Sequence, residues 1–354
     1  MSYQVLARKW RPKRFEEVVG QEHVTRSLQN ALRTGKLAHA YLFTGTRGVG
    51  KTSIARLFGK AIRCENRGPD MNPCLKCVPC LDIEAGHSLD YQEIDGASHN
   101  SVDNVRDLIE NVRYLPARGT HKIYVIDEVH MLSTPAFNAL LKTLEEPPAH
   151  VIFIFATTEA QKLLGTILSR CQRFDFKSVP VDVLTDHLKA IAQKESIKFS
   201  NEKFIQLLAV HGRGSVRDAL SLLDQVLSLA GDGVITEEVF FQSLGLARAG
   251  ALRDLIGHIL QERPLEASSL FQQLLQENIE LKRIIDQLLE SFYAIIQNID
   301  NPAQAYALDL LPKDSLSGVT FAELFWVYET FVKDCEWAMS APAPDKVIDV
   351  VIQK

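Results

Sequence analysis

The residues that point most directly to chemistry form a glycine-rich segment with the spacing Gly-x-x-x-x-Gly-Lys-Thr, between Gly45 and Thr52. Its three glycines allow a tight turn whose N–H groups point inward, and a helix predicted to begin near Lys51 adds its positive end. Lys51 can reach the β- and γ-phosphates of a nucleotide, and the Thr52 hydroxyl can bind Mg²⁺ beside them. We therefore predict a nucleotide-phosphate site. Its loop residues are expected to be Gly45, Gly48, Val49, Gly50, Lys51, Thr52 and Ser53.

Two acidic residues, Asp127 and Glu128, end an apolar segment about 76 residues after Lys51. Such a segment is typical of a central parallel strand, which carries its last side chains to the sheet edge where nucleotides bind. We expect Asp127 to hold Mg²⁺ through water, next to Thr52, and Glu128 to orient the water that attacks the γ-phosphate. Because no Asn-Lys-x-Asp motif for guanine follows, ATP is favoured over GTP.

Four of the six cysteines lie within 17 positions, at Cys64, Cys74, Cys77 and Cys80. Disulfides are rare in cytoplasmic proteins, whereas overlapping Cys-x-x-Cys pairs with a further thiol can form a tetrahedral thiolate site. Zn²⁺ is the metal that such a site favours, and with four protein ligands its role would be structural. An iron–sulfur cluster and unligated thiols remain alternatives.

The surrounding sequence predicts the elements that position these groups. Strands are predicted at 40–43, 89–95, 122–127, 151–158 and, as an edge strand, 173–176. Helices are predicted between them, at 53–62 and 102–113. Because strands alternate with helices, we predict a doubly wound parallel α/β domain over residues 1–178.

Periodic helices dominate the sequence after Pro180. We predict a small helical domain over 179–244 and an all-helical domain over 245–354. The apolar residues expected in the core of the last domain include Leu281, Ile285, Leu288, Leu289, Trp326, Phe331 and Trp337.

Composition places the chain among ordinary globular proteins, with 46% hydrophobic and 23% charged residues in 354. No segment has the roughly 18 apolar residues of a membrane helix, and the first residues lack a secretory signal, so we expect no membrane association and a cytoplasmic location. The net charge of −5 is unevenly spread, because residues 1–60 hold 12 Lys/Arg against 3 Asp/Glu. A basic end suits phosphates, whereas the acidic remainder argues against a protein that coats DNA.

Together these motifs resemble the gamma/tau ATPase subunits of bacterial DNA polymerase III clamp loaders, which belong to the AAA+ class. The loop and the acidic pair indicate only an AAA+ ATPase, and it is the Ser-Arg-Cys motif with the inserted cysteines that resembles clamp loaders. The resemblance is dense over about 1–245. The segments that carry it are Arg8–Pro12, Val19–Gln21, Gly45–Thr52, the four cysteines, Asp127–His130, Ala139–Pro148, Ser169–Cys171 and Gly214–Asp218.

The resemblance implies an AAA+ nucleotide-binding domain over 1–178 with a zinc module at about 64–80, a helical lid over 179–244 and a helical collar over 245–354. It implies a five-membered ring with delta-type and delta-prime-type subunits and further gamma/tau copies. In such a ring, ATP binding opens the sliding clamp, and primer-template DNA triggers the hydrolysis that releases the clamp on DNA. The chain would thus be a subunit of a DNA-directed DNA polymerase complex.

The resemblance also implies roles for residues outside the loop. Thr157 would sense the γ-phosphate, and Arg217 would be the lid arginine that reports nucleotide. From sequence alone, Arg217 could equally pair with Asp218 or Asp224. The residues that would line the adenine and ribose pocket are Arg8, Arg11, Pro12, Val18 and Val19.

Arg170, in the Ser-Arg-Cys motif, is expected to act on ATP bound by the neighbouring subunit. A phosphoryl transition state spreads negative charge over the γ-oxygens, which an arginine supplied from another subunit can stabilise. The alternatives are a salt bridge with Asp175 or a cation at a helix end.

Two other classes of function remain open from the sequence. One is an ATPase with another substrate, such as a branch-migration motor, and the other is a scaffold that does not hydrolyse ATP. Intact Lys51, Thr52, Asp127 and Glu128 argue against the scaffold. Since tau forms continue into a tail that binds the replicative helicase and the polymerase, a sequence ending at Lys354 is expected to be a short gamma-like form or a truncated tau form.

Overall fold

The computed structural model describes residues 4–98, 102–231, 233–277, 279–299 and 319–354. The chain forms two compact units, Met1–Asp224 and Gln225–Lys354. The boundary between them falls within one helix, Val216–Ala230. The division into domains at 178 and 244 stays a prediction.

The first unit contains a sheet of five parallel strands, which confirms the predicted α/β fold. The strands are β1 Ala40–Thr44, β2 Tyr91–Asp95, β3 Lys122–Asp127, β4 Val151–Thr157 and β5 Gln172–Asp175. Their order is β2-β3-β4-β1-β5, so β5 is the predicted edge strand. β1 and β4 are buried along their whole length, as expected of central parallel strands with both faces covered.

Strand β2 begins two residues later than the apolar pattern predicts. Leu89 is 76% exposed, and the sheet pairing begins at Tyr91 opposite Ile123. The reason lies in Asp90, whose buried carboxylate binds Arg63 at 2.8 Å and accepts the N–H groups of Ala117 and Arg118. Because of these bonds, the Asp90 side chain does not follow the alternation of exposed and buried positions from which the strand was predicted to begin at residue 89.

The helices that begin in the first unit are α1 Leu6–Lys9, α2 Glu22–Thr34, α3 Lys51–Arg63, α4 Val78–Ala85, α5 Val102–Val112, α6 Thr134–Glu145, α7 Gly165–Leu168, α8 Val181–Lys194, α9 Lys203–His211 and α10 Val216–Ala230. Residues of α2 to α7 pack on the two faces of the sheet. Short 3₁₀ turns lie at Phe15–Glu17, Val129–Met131 and Ala160–Lys162.

The two apolar layers follow from the two-residue period of a strand. Tyr41 and Phe43 of β1 pack in one layer with residues of α2 and α3, whereas Leu42 packs in the other with residues of α5 and α6. The turn from β1 into α3 opens at the carboxyl edge of the sheet, where the predicted phosphate loop lies.

The second unit is helical in its described part. Its helices after α10 are α11 Glu237–Leu244, α12 Ala249–Leu260, α13 Pro264–Gln276, α14 Leu281–Gln297, α15 Phe321–Ala338 and α16 Pro344–Gln353. The predicted α14 stripe packs in the core, with Ile285 and Leu288 buried and Leu281 and Leu289 partly buried.

Two of the aromatic residues expected in the core of α15 are exposed instead. Phe331 is buried, but Trp326 and Trp337 are 55% and 65% exposed. At 3.6 residues per turn, Trp326 lies about 140° around the helix from Phe331, so the two side chains cannot share the core face. In the described part of the chain, no helix is long and apolar enough to cross a membrane.

Candidate functional site

A cavity of about 890 Å³ lies in the first unit at the carboxyl edge of the sheet. It is within the size range of small-molecule sites. The predicted nucleotide-site residues in its wall are Arg8, Arg11, Pro12, Val18, Val19, Gly48, Val49, Gly50, Lys51, Thr52, Ser53, Asp127, Glu128 and Arg217. Three other predicted site residues, Gly45, Thr157 and Arg170, are not part of the wall.

The glycine-rich loop requires glycine at two positions where other chain segments press against it. A Cβ at Gly45, with φ of 145°, would lie 2.5 Å from the Phe176 carbonyl oxygen. A Cβ at Gly48, with φ of 75°, would lie 1.9 Å from the Ser215 hydroxyl oxygen. The loop is therefore tightly packed between the end of β5 and the start of α10, which restricts where its N–H groups can point.

Lys51 opens helix α3 and is almost fully buried. Its ammonium donates to the carbonyl oxygens of Gly45 at 2.7 Å and Thr46 at 2.8 Å. Burial lowers the pKa of Lys51 below its ordinary value, while the carboxylates of Glu128 and Asp127 oppose that shift. The Lys51 side chain thus lies along its own loop. A phosphate oxygen of a bound nucleotide can take the place of one of these carbonyl acceptors.

The Thr52 hydroxyl and the Asp127 carboxylate meet across the cavity floor. Thr52 donates to Asp127 Oδ2 at 2.7 Å, and the other oxygen, Oδ1, accepts the Glu128 N–H at 3.0 Å. Oxygen ligands of this kind suit Mg²⁺, which is usually held by one or two protein groups together with water and phosphate. The donor set therefore fits the predicted magnesium site.

Glu128 directly follows β3 in a left-handed backbone conformation, with φ of 45° and ψ of 44°. This conformation is uncommon for a residue with a side chain, and such strain is concentrated at functional sites. The Glu128 carboxylate accepts from the Thr158 hydroxyl at 3.3 Å and lies 3.4 Å from His130 Nδ1. The Glu128 carboxylate can therefore hold a water at the cavity wall, while its contacts with Thr158 and His130 fix its position.

His130 and Thr158 are residues that the sequence reasoning did not assign to the site. The His130 ring contacts Thr157 Oγ1 at 2.9 Å through Nδ1 and Glu159 Oε2 at 3.1 Å through Nε2. Thr157 is fully buried and also accepts the Glu159 N–H at 3.0 Å. The position of His130 two residues after Glu128 was visible in the sequence, but its contacts with the end of β4 depend on strand pairing.

The amino-terminal arm is tied to helices at two points beside the cavity. The Trp10 indole N–H donates to Glu195 at 2.8 Å, and the Leu6 N–H donates to Asp224 Oδ2 at 2.7 Å. Burial and the nearby Arg56 lower the pKa of Arg11, and Arg217 lowers it further. Three arginines therefore lie near one another at the cavity wall. Several cations around one cavity suit a polyphosphate ligand.

Helix α10 contributes Arg217 to the cavity wall, and its backbone contacts the loop directly. The Arg217 N–H donates to the Gly48 carbonyl at 3.3 Å. One proposed alternative partner, Asp224, accepts the Leu6 N–H. Arg217 lines the cavity, and its role in reporting nucleotide stays a prediction.

Arg170 lies after α7, outside the cavity wall. Its guanidinium binds Glu145 at 2.8 Å and donates to the Thr166 carbonyl of α7 at 2.8 Å. The Asp175 carboxylate, one alternative partner, binds Arg173 at 2.7 Å. The contact with a helix carbonyl matches the other alternative, a cation at a helix end, while the action on a neighbouring subunit stays a prediction.

The four predicted cysteines converge, with their sulfur atoms all within 4.8 Å of one another. Zn–S bonds of about 2.3 Å in a tetrahedron place sulfurs about 3.8 Å apart, and Cys64 and Cys77 are separated by 4.0 Å. The N–H groups of Lys76 and Cys77 point at Cys74 Sγ, and the Lys76 N–H in particular lowers the pKa of Cys74 to about 6. Burial raises the pKa of the Cys64 and Cys80 thiols, so it is the convergence of the four sulfurs that fits a four-coordinate structural metal, whose charge would favour the thiolate form.

We expect the purified protein to contain about one zinc ion per chain and to lose it when Cys77 is replaced by serine, because a site with four cysteine ligands has no spare thiolate. Elemental analysis of the wild type and Cys77→Ser measures this directly. Cys335→Ser is the matched control, since Cys335 is also buried but lies in another helix. Equal zinc in Cys77→Ser and wild type would contradict the assignment, and iron in place of zinc would support the cluster alternative.

A parallel α/β sheet with a Gly-x-x-x-x-Gly-Lys-Thr loop after β1 places the chain in the class of P-loop α/β proteins. Sequence profiles of two families match it. A profile described as the delta subunit of DNA polymerase III matches residues 20–180, and one described as the ATPase lid domain of the DNA polymerase III clamp loader subunit matches 183–233.

Individual relatives match over most of the chain. The chain is 44% identical over 345 residues to DNA polymerase III subunit tau of Salmonella typhimurium. This alignment covers 96% of this chain and 53% of that protein. The chain is 41% identical over 295 residues to DNA polymerase III subunit gamma of Buchnera aphidicola subsp. Acyrthosiphon pisum, which covers 83% of this chain and 81% of that protein. The chain therefore belongs to the gamma/tau family of DNA polymerase III subunits. It spans about half the length of the tau relatives.

The fold is also found in a solved structure of more distant sequence. A variant of RuvB from Thermotoga maritima superposes with a TM-score of 0.50 at 19% identity, covering 78% of this chain and 91% of that one. At this identity the similarity shows the fold alone.

Proposed function

We propose that this chain binds and hydrolyses ATP as a motor subunit of a clamp loader in the DNA polymerase III complex. The observation that carries the proposal is that Lys51, Thr52, Asp127 and Glu128, which come from two separate strand ends, line one cavity. These are the groups that phosphoryl transfer needs at one place. Membership of the gamma/tau family supports the setting in DNA replication.

In the proposed mechanism the loop N–H groups and the Lys51 ammonium bind the β- and γ-phosphates. Thr52 and Asp127 would hold Mg²⁺, which neutralises charge on the phosphate oxygens when bound. Glu128 orients the attacking water, and its contacts with Thr158 and His130 keep the carboxylate aimed at the γ-phosphate. Gly45 shapes the loop, since its position allows no side chain.

The arm and the helical segment supply the rest of the proposed nucleotide site. The adenine and ribose would lie against Arg8, Arg11, Pro12, Val18 and Val19, all in the cavity wall. Arg217 would contact the phosphates from α10. A role for Thr157 in sensing the γ-phosphate requires either that its bonds to His130 and Glu159 rearrange or that it acts through them, because its side chain is fully buried.

We further propose the assembly that the family implies. The region 179–244 would act as the lid and 245–354 as the collar of a five-membered ring with delta-type and delta-prime-type subunits and further copies of this chain. The ring would act in the cytoplasm on the sliding clamp and primer-template DNA.

ATP turnover of the reconstituted ring is expected to rise severalfold with primer-template DNA and to rise further when sliding clamp is added. The reason is that a clamp loader hydrolyses ATP fastest when primer-template DNA and the sliding clamp are both bound. The assay compares primed DNA with a four-way junction of the same length, using a Lys51→Ala ring to measure background. Turnover that responds to the junction and not to primed DNA would favour a branch-migration motor and contradict clamp loading.

A further inference from the structure

Asn72 joins the cysteine segment to the arm that lines the nucleotide cavity. Its side chain is almost fully buried, and its Oδ1 accepts the Phe15 N–H at 2.8 Å. Its Nδ2 donates to both Glu16 carboxylate oxygens, at 2.8 and 3.0 Å. The amide thus binds two consecutive arm residues, 57 and 56 positions earlier in the chain, and its Nδ2 also donates to the Asp70 carboxylate at 2.5 Å within its own segment.

The arm residues held by Asn72 lead directly into the cavity wall. Phe15 is 2% exposed and begins the 3₁₀ turn Phe15–Glu17, and Glu17, Val18 and Val19 line the cavity. The Glu17 carboxylate accepts the Lys13 N–H at 2.7 Å, which ties the end of the turn back to the arm. A shift of Phe15 therefore moves Val18 and Val19, which are the proposed contacts for the adenine and ribose.

The position of Asn72 depends in turn on the cysteine cluster. Asn72 lies between Cys64 and Cys74, whose ends are joined where the Cys74 N–H donates to Cys64 Sγ at 3.1 Å. Its carbonyl accepts the Gly68 N–H at 3.2 Å, which closes a turn inside this segment. The segment lies between α3 and α4, and the convergence of the four sulfurs joins its two ends.

We propose that Asn72 is a positioning residue through which the cysteine cluster sets the affinity of the cavity for nucleotide. The proposal rests on the proposed function, since it takes the ligand to be a nucleoside triphosphate. By linkage, a metal that orders the cysteine segment strengthens nucleotide binding, and bound nucleotide raises the affinity for the metal by the same factor. Lys51, Thr52, Asp127 and Glu128 lie on other elements, so the coupling acts on binding and leaves the chemical step unchanged.

The test measures binding of a non-hydrolysable ATP analogue to the full chain by calorimetry. Asn72→Ala is expected to raise the Kd about tenfold, the effect of leaving buried hydrogen-bonding groups without a partner. Its turnover at saturating ATP is expected to stay within about twofold of wild type, because no phosphate-binding group is touched. Gln29→Ala is the matched control, since Gln29 donates to the Asp70 carbonyl of the same segment at 2.8 Å, a bond that joins the segment to α2 and not to the arm.

Metal removal provides a second readout that a merely structural role for Asn72 would not produce. Chelation is expected to raise the Kd of the wild type by a similar factor and to add nothing to Asn72→Ala. Nucleotide is expected to raise the affinity for metal, measured by equilibrium competition with a colorimetric chelator, in the wild type and not in Asn72→Ala. If Asn72→Ala does not fold, Glu16→Ala, which changes an exposed side chain in the same contact, carries the test with a smaller increase in Kd.

An unchanged Kd in a folded Asn72→Ala or Glu16→Ala overturns the proposal, and so does an equal increase in Gln29→Ala. Failure of the wild type to bind the analogue would instead contradict the proposed function, so the two failures are distinguishable.

Discussion

Replacing Glu128 by glutamine is expected to lower ATP hydrolysis by about 10²–10⁴-fold while ATP binding is retained. The amide keeps the size of the side chain and its contact with Thr158, but it is a poor acceptor for the proton of the attacking water. Lys51→Ala is expected to have the opposite defect, a loss of ATP binding itself, since the ammonium is a phosphate ligand in the loop.

The two variants are separated by measuring ATP affinity and single-turnover hydrolysis on each. Glu159→Gln is a matched control, because Glu159 is also a carboxylate beside His130 but does not line the cavity. Equal ATP affinity in wild type and Lys51→Ala, or full hydrolysis in Glu128→Gln, would contradict the assigned roles.

Arg170→Ala is expected to lower hydrolysis in the assembled ring by about 10³–10⁵-fold and to leave ATP binding by the isolated chain nearly unchanged. Arg170 does not line the cavity of its own chain, and its guanidinium is only about one-third exposed beside Glu145 and the end of α7. An arginine held at the surface by a partner of this kind can stabilise the γ-phosphate charge of a neighbour if it exchanges that partner on assembly.

Arg173→Ala is the matched control for Arg170→Ala, since Arg173 is an exposed arginine three positions away with its own carboxylate partner. Rings that mix Arg170→Ala with Lys51→Ala chains test the trans role, because each intact site then needs Lys51 from one chain and Arg170 from the next. A loss of the isolated chain's own ATPase as severe as the loss in the ring would assign Arg170 to its own site.

Much of the fold could be predicted from local pattern. The strands β1, β3 and β4 are continuous apolar segments because both their faces are covered, and this signal is carried by neighbouring residues. The edge strand β5 was also predictable, since polar and apolar residues alternate over Arg173–Phe176. Leu89 and Trp337 were misplaced, because hydrophobicity alone does not tell which face of an element is covered.

The candidate site divides in the same way. The loop from Gly45 to Thr52 was predictable because its eight positions are consecutive and the backbone geometry is local. The convergence of Cys64 with Cys80 was predictable because only a short loop and a single helical turn separate the ligands. The motif did not predict that the Lys51 ammonium would be buried against the carbonyl oxygens of Gly45 and Thr46. This burial depends on the packing around the loop, where the start of α10 presses on Gly48.

The sequence by itself therefore determined the chemistry available to this protein, namely a phosphate loop, a carboxylate pair and four thiols, because each is encoded by residues close together in the chain. Only the tertiary structure decided that Thr157 turns toward His130, that Arg170 binds Glu145 and that Asn72 holds Phe15. Each of these contacts joins residues about 25 to 57 positions apart. Such pairs are set by strand order and helix packing, which bring together segments that are distant in the chain.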